Sequence, residues 1–218
     1  MGLKIKTTIL FTLVLLPFHT WANSPSPRVD PIALAELKAK IHSYEIDKNY
    51  GDDALGLIVV TLGLGAVEGG SGGIGACLVN ARTGQVVETG QNRQFDGHFR
   101  SDLHAEMDLL NRYEERAKKG HVRRTGVDPR ACPDLILVSS MEPCPMCLTR
   151  IINAGIKTLL YVEKDPTGGM VTRMANLPPF WRKFAADREF KQAHCSPRLC
   201  QLAHDLFHIT RRRFSHTN

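Results

Sequence analysis

The stretch Ser140-Met-Glu-Pro-Cys-Pro-Met-Cys147 constrains this chain more than any other. It places two cysteines three residues apart, directly after an apolar run and directly before a pattern of helical period. Upstream, Leu103-His-Ala-Glu106 opens a second helical pattern. Together they read His-x-Glu followed by Pro-Cys-x-x-Cys, so two pieces distant in sequence must meet at one site. His104, Cys144 and Cys147 offer one imidazole and two thiolates, a donor set that suits tetrahedral zinc. Three protein ligands leave the fourth position for water, as in a catalytic site and not a closed structural one. Glu106, two residues after the histidine, is placed to move that water's protons. Residues 144 and 147 lie one turn apart and face the same way, and a helix start favours thiolate over thiol.

A lone Cys-x-x-Cys also belongs to zinc knuckles and redox dithiols. A knuckle needs a second close pair of ligands, and the sequence offers none. A redox dithiol leaves unexplained why a histidine and a glutamate open another helix.

Residues 1–22 have the order of an export signal. Lys4 and Lys6 form a charged start, Thr7 to Phe18 is an apolar core, and Thr20-Trp-Ala22 gives small residues near a cleavage point. The alternative is an N-terminal anchor that stays uncut. The apolar run is short for a bilayer span, and no later segment is apolar enough for one. The expectation is an exported protein, periplasmic or secreted, with no stable membrane span after cleavage. Residues 23–30 read as a Ser/Pro-rich flexible leader, and 31–218 as one domain with a substantial core. The formal charge is +6, from 28 Lys+Arg against 22 Asp+Glu. That permits anionic substrates without requiring nucleic acid.

Export makes the remaining cysteines informative. Cys77, Cys132, Cys195 and Cys200 can pair in an oxidising compartment or stay reduced. Cys195 and Cys200 are close enough in sequence to bridge a helix start. Cys77, inside an apolar run, reads as a buried free thiol.

Periodicity supplies the elements. Pro31 to about Tyr44 reads as a helix with Asp30 as its N-cap and Ile32, Leu34, Leu37 and Ile41 as its apolar stripe. Residues 52–67 favour a buried helix, with a strand as the alternative. The glycines from Gly69 to Gly75 form a loop without a P-loop lysine, so close packing or flexibility explains them better than phosphate binding. Ile74–Asn80 and Gln85–Gly90 make a hairpin. His104–Lys118 is a helix, Asp134–Ser139 a buried strand, Cys144–Ala154 a helix and Lys157–Val162 a second buried strand. Pro179–Asp187 is a short helix, Phe190–His194 a last strand, and Ser196-Pro197 starts a final helix with Leu199, Leu202, Leu206 and Ile209 on one face. Gly120–Arg130 is a basic loop, either solvated or facing an acidic partner.

From Ile74 to Arg213 this order resembles the cytidine and deoxycytidylate deaminase superfamily. Glu142-Pro-Cys-Pro-Met-Cys147, Asp165-Pro-Thr-Gly168 and the ending Asp205 to Arg213 look most like the branch of guanine deaminases and bacterial tRNA adenosine deaminases. The resemblance implies an α/β fold: a three-layer α/β/α sandwich with a mixed five-stranded sheet and helices on both faces. It also implies a homodimer or larger assembly and a zinc-dependent hydrolase acting on a small-molecule base or nucleoside. His104, Cys144 and Cys147 match the zinc ligands and Glu106 the proton shuttle. Asn92 matches a base-contacting asparagine, although a turn residue capping its own backbone fits the same sequence. Two departures stand out: Arg100-Ser-Asp-Leu103 lacks the Asp-Pro start often seen before the histidine, and an export signal is unusual in this family. Other functions remain open at this point. They are a deaminase of single-stranded nucleic acid or tRNA adenosine, with Phe99, Phe180 and Trp181 holding unstacked bases, and a non-catalytic zinc-stabilised binding module. Core packing is the simpler role for those aromatics. A binding module has no need of Glu106.

Overall fold

The computed structural model describes residues 29–119 and 132–211. The expected export signal, the expected leader up to residue 28, the basic loop 120–130 and the arginines 212 and 213 lie outside the described residues.

The sequence builds a hairpin first. Strands β1 (Gly75–Asn80) and β2 (Val86–Gln91) pair antiparallel, from Gly75 opposite Gln91 to Val79 opposite Val86. The turn between them closes with Gly84 at φ +70°, a left-handed position that glycine adopts at little cost. Strand β3 (Cys132–Met141) pairs antiparallel with the other side of β1, putting Ser139 opposite Ala76. Strands β4 (Ile156–Glu163) and β5 (Glu189–Gln192) then add in parallel. The result is one mixed five-stranded sheet in the order β2-β1-β3-β4-β5.

Parallel neighbours need crossovers, and these carry helices on the sheet faces. Helices α3 (Ala105–Lys118), α4 (Pro145–Asn153) and α5 (Pro179–Phe184) belong to one face. There Leu109, Leu110, Tyr113, Leu148, Ile151 and Ile152 are buried against Ala76, Leu78, Leu135 and Leu137. Helices α1 (Pro31–His42), α2 (Asp53–Glu68) and α6 (Pro197–Arg211) cover the other, where Val59, Val60, Leu64, Leu199 and Leu206 meet Cys77, Val79, Val138 and Val162. Successive β3 side chains therefore serve opposite cores, which explains a strand apolar on both faces. This is the expected three-layer sandwich. The β-branched residues of 52–67 are helical, as their length and the Asp52-Asp53 start favoured.

Three expectations need correction. Ile32 is not part of the α1 stripe and is 71% exposed. At about 100° per residue it stands roughly 140° around the helix from Leu37, off the buried face. Strand β3 begins earlier and ends later than Asp134–Ser139, because pairing with β4 runs from Cys132 opposite Ile156 to Met141 opposite Glu163. The early part is irregular, with a register shift between Cys132 and Ile136 where Pro133 removes a donor. Cys195 and Cys200 do not bridge. Both are free thiols, as is the buried Cys77. Burial pushes their ionisation up, to about 12 at Cys77 and Cys195 and about 11 at Cys200, which leaves little reactive thiolate.

The glycine-rich segment is used for close packing. A Cβ at Gly75 would stand 2.3 Å from the Val59 carbonyl oxygen, and one at Gly73 would stand 2.2 Å from that of Leu206. Backbone meets backbone there, locking α2 and α6 to the start of β1. Among the described residues no helix is long and apolar enough to cross a membrane.

Candidate metal centre and active site

Two helix starts converge on one point. His104 is the N-cap of α3 and Cys144 the N-cap of α4, each with extended backbone. Pro145 opens α4 with the φ a helix requires and without an amide that would need a partner. Cys147 follows one turn later and is fully buried. Both Cys144 Sγ and Cys147 Sγ lie 3.6 Å from His104 Nδ1. Zn–S and Zn–N bonds of about 2.3 and 2.0–2.1 Å at tetrahedral angles require an S···N separation of about 3.6 Å. The three ligand atoms all lie within 4.8 Å of one another. The donor set and its spacing therefore fit zinc, and His104, Cys144 and Cys147 are positioned to hold it.

The protein's own charges prepare these ligands. The Cys147 thiol donates to Cys144 and, against burial, draws the Cys144 thiol down to about 4, with the neighbouring His104 adding to the effect. The hydrogen bond to Cys144 and burial push Cys147 the other way. A divalent cation takes both as thiolates, so metal uptake releases a proton from Cys147. His104 is raised above the ordinary imidazole value, first by its bond to Cys144.

Glu106 lies in the first turn of α3 and is 3% exposed. Burial, and then the nearby Cys144 thiolate, raise its carboxyl above the usual carboxylate range. A buried carboxyl lifted in this way beside a metal site is suited to taking and returning protons. Its Oε1 accepts a hydrogen bond from Ser139 Oγ at 3.0 Å. Sequence reasoning missed Ser139. The available signal was the break of an apolar strand into two serines, since a hydroxyl in a strand buried on both faces needs a partner.

Asn92 follows the last residue of β2 and is 3% exposed. Its neighbour Arg93 donates its N–H to Leu103 O at 2.9 Å, which ties this segment to the residue before His104. Asn92 Oδ1 accepts from Gln94 N–H at 3.0 Å, and its Nδ2 donates to Gln94 Oε1 at 3.1 Å. The turn-capping role is thus present. Asp108 supports the same join, accepting from Gln91 N–H at 3.3 Å while Arg93 and Arg112 lie at 3.6 and 3.2 Å from its carboxylate.

Glu142 anchors the loop after β4. Its carboxylate accepts from Asp165 N–H at 3.2 Å and from the Thr172 N–H and Oγ1 at 2.7 and 2.8 Å. Met170 N–H donates to Pro143 O at 2.9 Å, so the loop is fastened directly beside Cys144. Of the aromatics singled out, Phe180 and Phe99 are not core residues, at 67% and 39% exposed, while Trp181 packs partly against the core.

Residues 57–163 match the model of the cytidine and deoxycytidylate deaminase zinc-binding region. A solved guanine deaminase from Nitrosomonas europaea has a similar structure, with TM-score 0.54 and 18% identity over 84% of this chain and 95% of that one. A structure solved in complex with 2,6-diaminopurine gives TM-score 0.52 and 20% identity over 94% of each chain. A structure from work on A-to-I editing by tRNA wobble-position deaminases gives TM-score 0.48 and 24% identity over 62% of this chain and 94% of that one. A search of curated protein sequences gives no match. The ligand triangle and the sheet order stand together with the match of residues 57–163 to the zinc-binding region of the cytidine and deoxycytidylate deaminases, the superfamily this chain resembles.

Proposed function

We propose that this protein is a zinc-dependent hydrolase that replaces the exocyclic amino group of a nucleobase or nucleoside with oxygen and releases ammonia. The observation that carries the reading is the buried Glu106 carboxyl beside the His104, Cys144 and Cys147 triangle. A structural zinc site needs no such group. When bound there, zinc supplies a Lewis acid that makes water a competent nucleophile near neutral pH.

The chain's residues do the rest. Glu106 takes a proton from the attacking water and gives it to the ring nitrogen next to the amino-bearing carbon. Oxygen is then bonded to that carbon. Glu106 takes the second proton and passes it to the amino group, which leaves as ammonia when the C–N bond breaks. The Cys144 N–H, at a helix start, steadies charge on the oxygen. Asn92, with its turn already formed, presents its amide to the base. The mature chain acts as a homodimer after export.

Ammonia release by the purified, zinc-loaded protein across bases, nucleosides and short oligonucleotides tests this reading. Purine bases come first in the panel, because similar structures include a guanine deaminase and a 2,6-diaminopurine complex. Turnover of free bases or nucleosides is the expected result. Full zinc with no turnover on any of them contradicts it. The exposed Phe180, followed by Trp181, Arg182 and Lys183, favours single-stranded nucleic acid as a second reading. Turnover confined to oligonucleotides, with binding that falls steeply with salt, would select it.

A further inference from the structure

We infer that Ser139 is the positioning residue for Glu106 and determines which of its carboxylate oxygens handles the proton. The inference rests on the deaminase reading and goes beyond it, because Ser139 belongs to neither motif.

On β3 the side chains of Leu135, Leu137 and Ser139 alternate onto the α3–α4 face, where the two leucines are core residues. Ser139 continues this series and is fully buried. An alanine or valine would satisfy packing there. A buried hydroxyl is costly without an acceptor, and this one donates to Glu106 Oε1 at 3.0 Å. The adjacent Ser140 differs. It points to the other face, where its Oγ accepts from Gly75 N–H at 3.1 Å and holds the start of β1. One serine therefore serves the architecture and the other serves the carboxyl.

The consequence is geometric. Glu106 has three side-chain torsions and, being buried, has no solvent shell to align it. The carboxylate's other partner is the Cys147 thiol, which a bound metal takes as thiolate; with Oε1 held by a central strand, Oε2 is then the oxygen left to accept and return a proton. Ser139 touches neither the ligand atoms nor the substrate in this arrangement. Its loss should lower turnover and leave substrate binding alone.

The test compares Ser139→Ala and Ser139→Thr with wild type in the full, zinc-loaded protein. Ser139→Ala is expected to keep one zinc and the wild-type melting temperature within a few degrees. Its kcat should fall about 10–100-fold with KM changed less than about twofold, the usual scale for removing a partner of a metal-site group. Ser139→Thr, which keeps the hydroxyl, should restore most of the rate. A second readout does not need turnover: the Glu106 carboxylate infrared band, isolated by difference against Glu106→Gln, should shift in Ser139→Ala and not in Ser139→Thr. An unmoved band overturns the inference, as does a kcat within about twofold of wild type. Loss of zinc or of folding in Ser139→Ala also overturns it, since the hydroxyl would then serve the scaffold. If wild type turns over no substrate, the deaminase reading fails while the infrared band still decides the role of Ser139.

Discussion

At the scale of single residues, the site is a local piece of chemistry that was legible in the sequence. Ligand type, ligand spacing and helix-start position are all set within a few residues, so His104, Cys144, Cys147 and Glu106 could be named before any fold was known. The structure brings these four together. Cys147→Ser should bind zinc at far below one equivalent and melt well below wild type, because metal affinity adds directly to folding free energy. Metal analysis and calorimetry on the same preparation check this, and a variant with full zinc contradicts the ligand set. Ser139 was legible only as a buried hydroxyl in need of a partner, because which partner it meets depends on the element that packs over β3. Nothing within a few residues of it names Glu106 as a partner. The side chain of Asn92 was legible only in part. Its turn is visible in the structure, while its contact with a base awaits a substrate.

At the scale of elements, the existence of helices and strands followed from periodicity, while strand ends and backbone close contacts did not. The extension of β3 to Met141 depends on β4, which the β3 residues cannot announce. The close contact of β2 with α3 is another case. A Cβ at Gly90 would stand 2.5 Å from Leu109 N and 2.6 Å from Ala105 O, with rigid helix backbone on the far side. Gly90→Ala must push α3 away near Ala105, the residue between His104 and Glu106. A stability loss of about 2 kcal/mol or more, with weaker zinc binding, should appear in denaturant melts and zinc competition. A wild-type midpoint would contradict this packing. On the other face, the fully buried Asp53 ties three segments together. Its carboxylate accepts from Tyr44 OH at 2.6 Å, Asp47 N–H at 2.8 Å and Ser196 N–H at 2.9 Å. Burial alone would raise its carboxyl, but these bonds outweigh it and hold the carboxyl below its ordinary 3.8. A carboxyl lower in the folded state contributes stability that is complete above the unfolded value and is lost as pH falls through the folded one. Asp53→Ala should lose at least about 3 kcal/mol near neutral pH, leaving buried donors unpaired. Its urea midpoint should also fall less than that of wild type below pH 4, because this group no longer contributes to the acid limb. Equal acid dependence in the two proteins would contradict the role given to Asp53.

At the scale of the whole molecule, the three-layer architecture follows from a strand apolar on both faces and from parallel pairs that need helical crossovers. Sequence pattern showed both features, and the superfamily resemblance named the fold they make. Substrate choice was less legible, because it depends on loops such as 94–103 whose contacts are set by the assembled structure. Export is a separate claim resting on residues 1–22. Mass spectrometry of the protein from its native cell should find a chain beginning near Asn23, and an intact Met1 on a cytoplasmic protein would reject export. The central claim is that a buried glutamate turns a zinc-binding fold into a hydrolase. Its most direct test is ammonia release by wild type and Glu106→Gln, each carrying one zinc per chain, on the substrate wild type prefers. Glutamine keeps the size and can still accept from Ser139, but it cannot take a proton. Because one group serves several proton transfers, the variant should lose at least about three orders of magnitude in rate, roughly 4 kcal/mol of barrier. A zinc-loaded Glu106→Gln that retained more than about a tenth of the wild-type rate would contradict the account.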